Sequence, residues 1–176
     1  MAYRVAIVDD SMIDAEFVKS ILNNWADQRQ ANIQAEVFTS AEAFLFQYAE
    51  DKEWDILLLD IEMGAMDGVT MAKRVRQDNE AVQIVFITGY SDYIAEGYEV
   101  AALHYLMKPV NQDKLFTVLD RALEMRLLLD GNRLLSSGKL FRQQEQTPGK
   151  QGAAGTANSG FALVIAHLNT VKGCNF

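Results

Sequence analysis

Four short apolar runs, each stopped by a polar side chain, constrain the fold of this chain more than any other feature. Tyr3–Val8 stops at Asp9, Ile56–Leu59 at Asp60, the run 82–87 at Thr88 and the run 103–107 at Lys108. The first, the third of the sequence's five strand-like segments (Ile56–Leu59) and the fourth (82–87) are continuous rather than alternating. Such strands are buried on both faces, as in a parallel sheet covered by helices. A fifth strand-like segment, 34–38, lies between the first two runs. Helical stretches separate them. Ser11 can cap a helix with Asp14 in its first turn and Ile13, Phe17, Ile21, Leu22 and Trp25 on one apolar face. Ser40 can cap a second, carrying Ala43, Phe44 and Tyr48. Residues 69–75 read as a third, with Lys73, Arg74 and Arg76 facing water. Residues 91–100 read as a fourth, and Asn111 can cap a last helix running through Leu119 and Leu123 to Leu129. Strictly alternating elements with short connections predict an α/β fold, a doubly wound, five-stranded parallel sheet flanked by helices.

Composition narrows the class. The 176 residues are 49% hydrophobic and 23% charged, with a net charge of -8, which fits a globular protein and excludes global disorder. No apolar run approaches the ~20 residues that a membrane span requires. Asp9, Asp10 and Asp14 stand where a signal peptide would have its apolar core. The single Cys174 cannot form an intrachain disulfide, so a cytoplasmic location is expected, without membrane contact. Charge is uneven: residues 1–130 carry a net of -12 and residues 131–176 a net of +4. The segment 143–160 is rich in Gln, Gly, Ala, Ser and Thr and has nothing to bury. Residues 1–130 are therefore read as one domain, 131–160 as a linker and 161–176 as a short tail that is not a domain of its own.

In open parallel sheets, ligands bind beyond the carboxyl ends of the strands. If the sheet order brings the four polar stops together, Asp9, Asp10, Asp60, Thr88 and Lys108 converge on one cleft. Three uncompensated carboxylates would repel. A hard cation and the Lys108 ammonium can relieve that repulsion. Carboxylate and carbonyl oxygens suit Mg²⁺, whereas zinc would want His or Cys ligands. A metal beside carboxylates invites a phosphoryl group. Asp60 could then attack phosphorus and form an acyl phosphate.

The segments VAIVDDS, DILLLDIEMGAMDG, VFITGY and HYLMKPV resemble the receiver domain of two-component response regulators, over about residues 3–129. The resemblance implies the flavodoxin-like receiver fold, with Asp60 as phospho-acceptor and a sensor histidine kinase as partner. It places Mg²⁺ on Asp10, Asp60 and the backbone carbonyl of Glu62, with Asp9 acting mainly through a metal-bound water. It puts Thr88 and Lys108 on the phosphoryl oxygens, and makes Glu62 and Tyr90 tuners of acyl-phosphate lifetime. It also makes the Lys108–Pro109 bond a candidate cis peptide. Phosphorylation would draw Thr88 inward and let Tyr105 rotate, changing the face made by the fourth helix, fifth strand and fifth helix. Tyr90, Tyr93 and Tyr98 would lie near that face, which could pair two copies. His104 reads as structural rather than as a phosphodonor.

The wording DIEMGAMDG, followed by FITGYSDYIAEGYEVAALHYLMKPV, is similar to the LytTR-type subfamily, where DIEMPGMDG is usual. Gly64-Ala65 departs from that pattern and is expected to loosen the loop after Asp60. Members of that subfamily carry a C-terminal β-rich DNA-binding domain, which the tail is too short to supply. DNA contact and transcription control are therefore expected only through an effector missing from this chain. Two other readings stand beside this one. One is an Asp-nucleophile phosphohydrolase, which would want Asp rather than Glu62. The other is a phosphorylation-independent dimerisation scaffold, which would not need the acidic pair, Asp60, Thr88 or Lys108. Any catalysis expected of the receiver itself is limited to transfer onto its own Asp60 and slow self-dephosphorylation.

Overall fold

A computed structural model of the protein describes residues 2–89 and 99–136, with side chains as far as Leu129. The elements run β1 (Tyr3–Val8), α1 (Met12–Arg29), β2 (Ile33–Phe38), α2 (Ala41–Glu50), β3 (Ile56–Leu59), α3 (Gly68–Asp78), β4 (Gln83–Thr88), β5 (His104–Met107) and α4 (Gln112–Ser136). The fourth helix expected from sequence, 91–100, lies almost wholly outside the described residues, as do Tyr90, Tyr93 and Tyr98. So do residues 137–176, which hold most of the expected linker and the tail.

The five strands form one sheet in the order β2-β1-β3-β4-β5, and every pairing is parallel. β1, β3 and β4 are central and almost wholly buried, as their continuous apolar runs require. β2 is an edge strand, and its burial alternates at first along its length. Successive residues of a strand face opposite sides, so the sheet feeds two cores. Val5, Ile7, Ile56, Leu58, Val85 and Ile87 pack against α1 and α4. Ala6, Val8, Leu57, Leu59, Ile84 and Phe86 pack against α2 and α3.

The helix starts are capped as their sequences dictate. The Ser11 hydroxyl accepts from Asp14 N, Ser40 from Ala43 N at 3.1 Å, and the Asn111 side chain from Lys114 N at 3.0 Å. Asp67 caps α3, accepting from Thr70 N at 2.6 Å.

The structure corrects several details of the helices. Ile13 is 84% exposed and Phe17 49% exposed, whereas α1 buries Ala15, Val18, Ile21, Leu22, Trp25 and Ala26. At 3.6 residues per turn, nine residues separate Ile13 from Leu22 by about half a turn, so the two cannot share a face. Trp25 fixes the outcome, because its indole N–H reaches Asp120 of α4 at 2.8 Å. Ala43 is exposed, and Ala41 takes the buried place beside Phe44. Arg76 does not face water. Its guanidinium donates to the carbonyls of Asn79 at 2.9 Å, Val82 at 2.9 Å and Val100 at 2.8 Å. Finally, α4 continues beyond Leu129 to Ser136.

Candidate functional site

The chain leaves β1 for β2 on one side and returns to β3 on the other. That reversal is the topological switch point, where a parallel sheet opens a crevice beyond its strand ends. Asp9 and Asp60 stand on its two sides. Main-chain hydrogen bonds extend the sheet up to both: Asp9 N donates to Phe38 O at 3.0 Å, and Asp60 N to Val8 O at 2.8 Å. The two acids are thus set by the ladder itself, and both are buried.

Lys108 closes the crevice from the β5 side. Its backbone N–H donates to Thr88 O at 2.8 Å, and the Lys108–Pro109 peptide is cis, as the resemblance implied. The side chain then reaches back across β4. Its Nζ lies 2.7 Å from Asp60 Oδ2, 2.7 Å from Asp9 Oδ2 and 3.1 Å from Asp14 Oδ2. Burial alone would pull the Lys108 pKa down, but the hydrogen bonds to Asp60, Asp9 and Asp14 outweigh it, and the net shift is upward. For Asp9 the balance tips the other way. Burial raises its pKa, and neither the Lys108 hydrogen bond nor the Ser11 N–H, 2.9 Å from Oδ1, fully offsets that. The charge of Asp60 adds to the rise.

Asp60 Oδ1 accepts from Ile61 N at 2.6 Å while Oδ2 faces Lys108, so the carboxylate plane is held at both ends. Close packing holds its backbone. Gly68, the first residue of α3, donates to Ile61 O at 2.8 Å, and its Cα passes so near Asp60 that no side chain fits there. Thr88 is fully buried, and its hydroxyl has no hydrogen-bond partner among the described residues. A buried hydroxyl left unsatisfied costs free energy and marks a place where a ligand oxygen belongs.

Asp10 is exposed beside this group. Carboxylate oxygens of Asp9, Asp10 and Asp60 all lie within 4.8 Å of one another. Three carboxylates stand against the one ammonium of Lys108, which pairs with Asp9 and Asp60, so the cluster keeps surplus negative charge. An all-oxygen, over-negative cluster fits a hard divalent cation. Glu62 is exposed, two residues beyond Asp60. Gly64, in the same loop, has φ +40, a value a proline ring does not permit. The departure at Gly64-Ala65 therefore changes the loop's backbone path and takes away none of the charged groups. Tyr105 is half-buried on β5, its ring 6.2 Å from that of Phe86. His104 is exposed on the same strand.

Asp14 is the member that sequence reasoning did not assign to the site. The sequence marks it only as an acid at a helix start. Its distance from Asp9 along the chain was the available signal, since the Ser11 cap turns the first turn of α1 back over the end of β1.

A sheet in this order, with helices on both faces and acids at its switch point, defines a CheY-like receiver fold. The family model described as "Response regulator receiver domain" matches residues 5–120, and the chain belongs to that family. Among curated proteins, it is 34% identical over 112 residues to the sensory transduction protein LytT of Bacillus subtilis (strain 168), covering 64% of this chain and 44% of that protein. It is 27% identical over 123 residues to the transcriptional regulatory protein NatR of the same organism, covering 70% of this chain and 51% of that one. The chain thus spans about half the length of the curated relatives it matches. Among solved structures, a CheY-like response regulator receiver domain protein from Methanospirillum hungatei JF-1 superposes with TM-score 0.61 at 23% identity, covering 71% of this chain and 97% of that one. That last likeness concerns the fold alone.

Proposed function

We propose that this chain is the phosphorylation-controlled receiver of a two-component response regulator. It takes a phosphoryl group from a phosphohistidine of a partner sensor kinase onto Asp60. One observation carries this reading: a buried carboxylate pinned by Ile61 N and Lys108 Nζ, with a buried threonine hydroxyl at the end of the neighbouring strand that has no partner among the described residues. A core aspartate serving only as a helix cap would need neither the ammonium nor the idle hydroxyl.

The chemistry follows from the placement. An Asp60 carboxylate oxygen attacks phosphorus, the new O–P bond takes its electron pair, and the P–N bond to the donor imidazole breaks with its pair returning to nitrogen. Asp9, Asp10, Asp60 and the Glu62 carbonyl would hold Mg²⁺, Asp9 mainly through a bound water. That ion supplies positive charge to the phosphoryl oxygens. Lys108 donates to one phosphoryl oxygen and Thr88 to another. Glu62, exposed beside the loop, and Tyr90, outside the described residues, would set the rate at which water removes the group.

The response then travels through Thr88. Its hydroxyl gains a partner when phosphorylated Asp60 offers oxygens, and a shift of the β4 end changes the space beside Tyr105 on the paired strand. The output face combines the fourth helix expected from sequence, which lies almost wholly outside the described residues, with β5 and α4, and a second copy can meet it there. The 34% identity to LytT and the DIEMGAMDG wording support a LytTR-type regulator. In such a protein a DNA-binding region would turn the switch into transcription control in the cytoplasm. Incubation with Mg²⁺ and acetyl phosphate, read by intact mass, tests the core of this. One labile phosphate per chain, absent in Asp60→Asn, is expected. An adduct that persists in that variant, or none in the parent protein, overturns it.

A further inference from the structure

We propose that Asp14 is a positioning residue for Lys108 and, through it, the group that sets how readily this pocket accepts an anionic phosphoryl donor. The inference rests on Asp60 being the acceptor. It begins with the three donors of a lysine ammonium. Here Asp60, Asp9 and Asp14 stand at 2.7, 2.7 and 3.1 Å, so all three are committed in the unmodified pocket. Lys108 can meet a phosphoryl oxygen only by releasing one of them.

The structure indicates which is released. Asp9 and Asp60 are buried, and taking away their counter-charge would leave a carboxylate uncompensated out of water. Asp14 is the most distant of the three, and its side chain is 46% exposed. Water can replace the ammonium there at little cost. Asp14 therefore holds the third donor at the rim until the phosphoryl group arrives, then gives it up.

Release has a consequence in charge. Once Lys108 turns to the phosphoryl oxygens, Asp14 remains at the pocket rim as an unpaired carboxylate facing a dianion. Like charges at such range in a solvated rim oppose binding by a factor of about three to ten. Asp14 thus acts against entry of small anionic donors, while its negative charge favours a divalent cation in the Asp9, Asp10 and Asp60 cluster.

Asp14→Asn tests this, with Glu16→Gln as the control. Glu16 is an exposed acid on the same helix and is not one of the three acids paired with Lys108, so its variant carries the same change in net charge. Adduct formation from acetyl phosphate, a dianion, is expected to run about three- to tenfold faster in Asp14→Asn at low salt, through a lower KM. The gap should narrow at high ionic strength and be smaller with phosphoramidate, a donor of lower charge. Calorimetric titration should show weaker Mg²⁺ binding in Asp14→Asn, opposite in sense to its faster modification. Glu16→Gln should match the parent protein throughout. Equal rates, a gap that ignores salt and donor charge, or the same gain in Glu16→Gln would overturn the role of Asp14 while leaving Asp60 as acceptor. Absence of any Asp60 adduct in the parent protein would overturn both.

Discussion

A Cβ added at Gly68 would lie 2.0 Å from the Asp60 carbonyl oxygen and 3.0 Å from its carbon. Both are backbone atoms, so nothing flexible can yield. Either α3 backs away from the end of β3 or the Asp60 backbone moves. Gly68→Ala is expected to cost about 1–3 kcal/mol of stability, as overpacking usually does. If Asp60 takes the phosphoryl group as proposed, the same change should also slow its phosphorylation, because its carboxylate is displaced from Lys108. Urea midpoints and adduct rates check the two effects separately. Ala101 presents the opposite case. It has φ +49 without being glycine, and the left-handed region costs a residue with a Cβ about 1–2 kcal/mol, against the ~0.5–1 kcal/mol that glycine loses in entropy. Ala101→Gly should therefore raise stability by up to about 1 kcal/mol in the same urea titration. Neither backbone demand was legible in the sequence. Gly68 sits in a run that reads as an ordinary helix start, and Ala101 gives no hint of its conformation.

Arg76 joins three segments that α3 alone would not hold together. Its guanidinium bonds carbonyls in the turn after α3, at the start of β4 and, at Val100 and Ala101, in the segment leading into β5. Burial lowers its pKa, yet the charge-assisted bonds keep it in place. Arg76→Ala should cost about 2–3 kcal/mol, and Arg76→Lys should recover little, since an ammonium cannot span the same carbonyls. The comparison of denaturation midpoints decides. At α2, Asp51 ends the helix, accepts from Glu53 N at 3.0 Å and pairs with Arg4 of β1. Its carboxyl is held below its ordinary pKa, by the Glu53 N–H first and Arg4 second. A depressed folded-state pKa means that this contribution is complete above the ordinary carboxylate pKa and disappears as pH falls through the lower, folded value. The stability gap between the parent protein and Asp51→Asn should therefore close between pH 5 and pH 2 on acid titration, as linkage requires. The elements show where patterns in a sequence are strong. Strands buried on both faces leave a continuous apolar signature, and Ser11, Ser40 and Asn111 marked helix starts at their true places. The face of α1 was misread because Ile13 and Phe17 are apolar but exposed, and only tertiary contacts such as Trp25–Asp120 fix the helix's rotation. Arg76 was misread because a cation's burial depends on carbonyls up to 25 residues away in sequence.

At the scale of the whole molecule, the site was legible because its groups sit at strand ends, and a parallel sheet aligns all its strand ends on one edge. What could not be read was how the charges are shared, since Asp14 enters through the turn of α1 rather than from a strand. That sharing has a thermodynamic consequence. Asp9, Asp14 and Asp60 surround the Lys108 ammonium, and Asp10 joins Asp9 and Asp60 in one carboxylate group, within a segment of net charge -12. Burial and the charge of Asp60 both disfavour ionised Asp9, and its raised pKa records that the compensation is incomplete. The pocket is therefore a point where the fold gives up stability to keep carboxylates together. Removing one of the charges should return part of it. In chelator, Asp9→Asn is expected to melt higher than the parent protein, by the few degrees that about 1 kcal/mol represents in a domain of this size. Adding Mg²⁺ should reverse the order. An ion that binds the folded state alone raises the melting temperature in proportion to RT ln(1 + [L]/Kd), and the intact cluster binds it more tightly than a cluster lacking one carboxylate. Scanning calorimetry of both proteins, with chelator and with millimolar Mg²⁺, would show crossing stabilities. If Asp9→Asn melts lower in chelator, or responds to Mg²⁺ as strongly as the parent protein, the surplus charge has been placed on the wrong side chains.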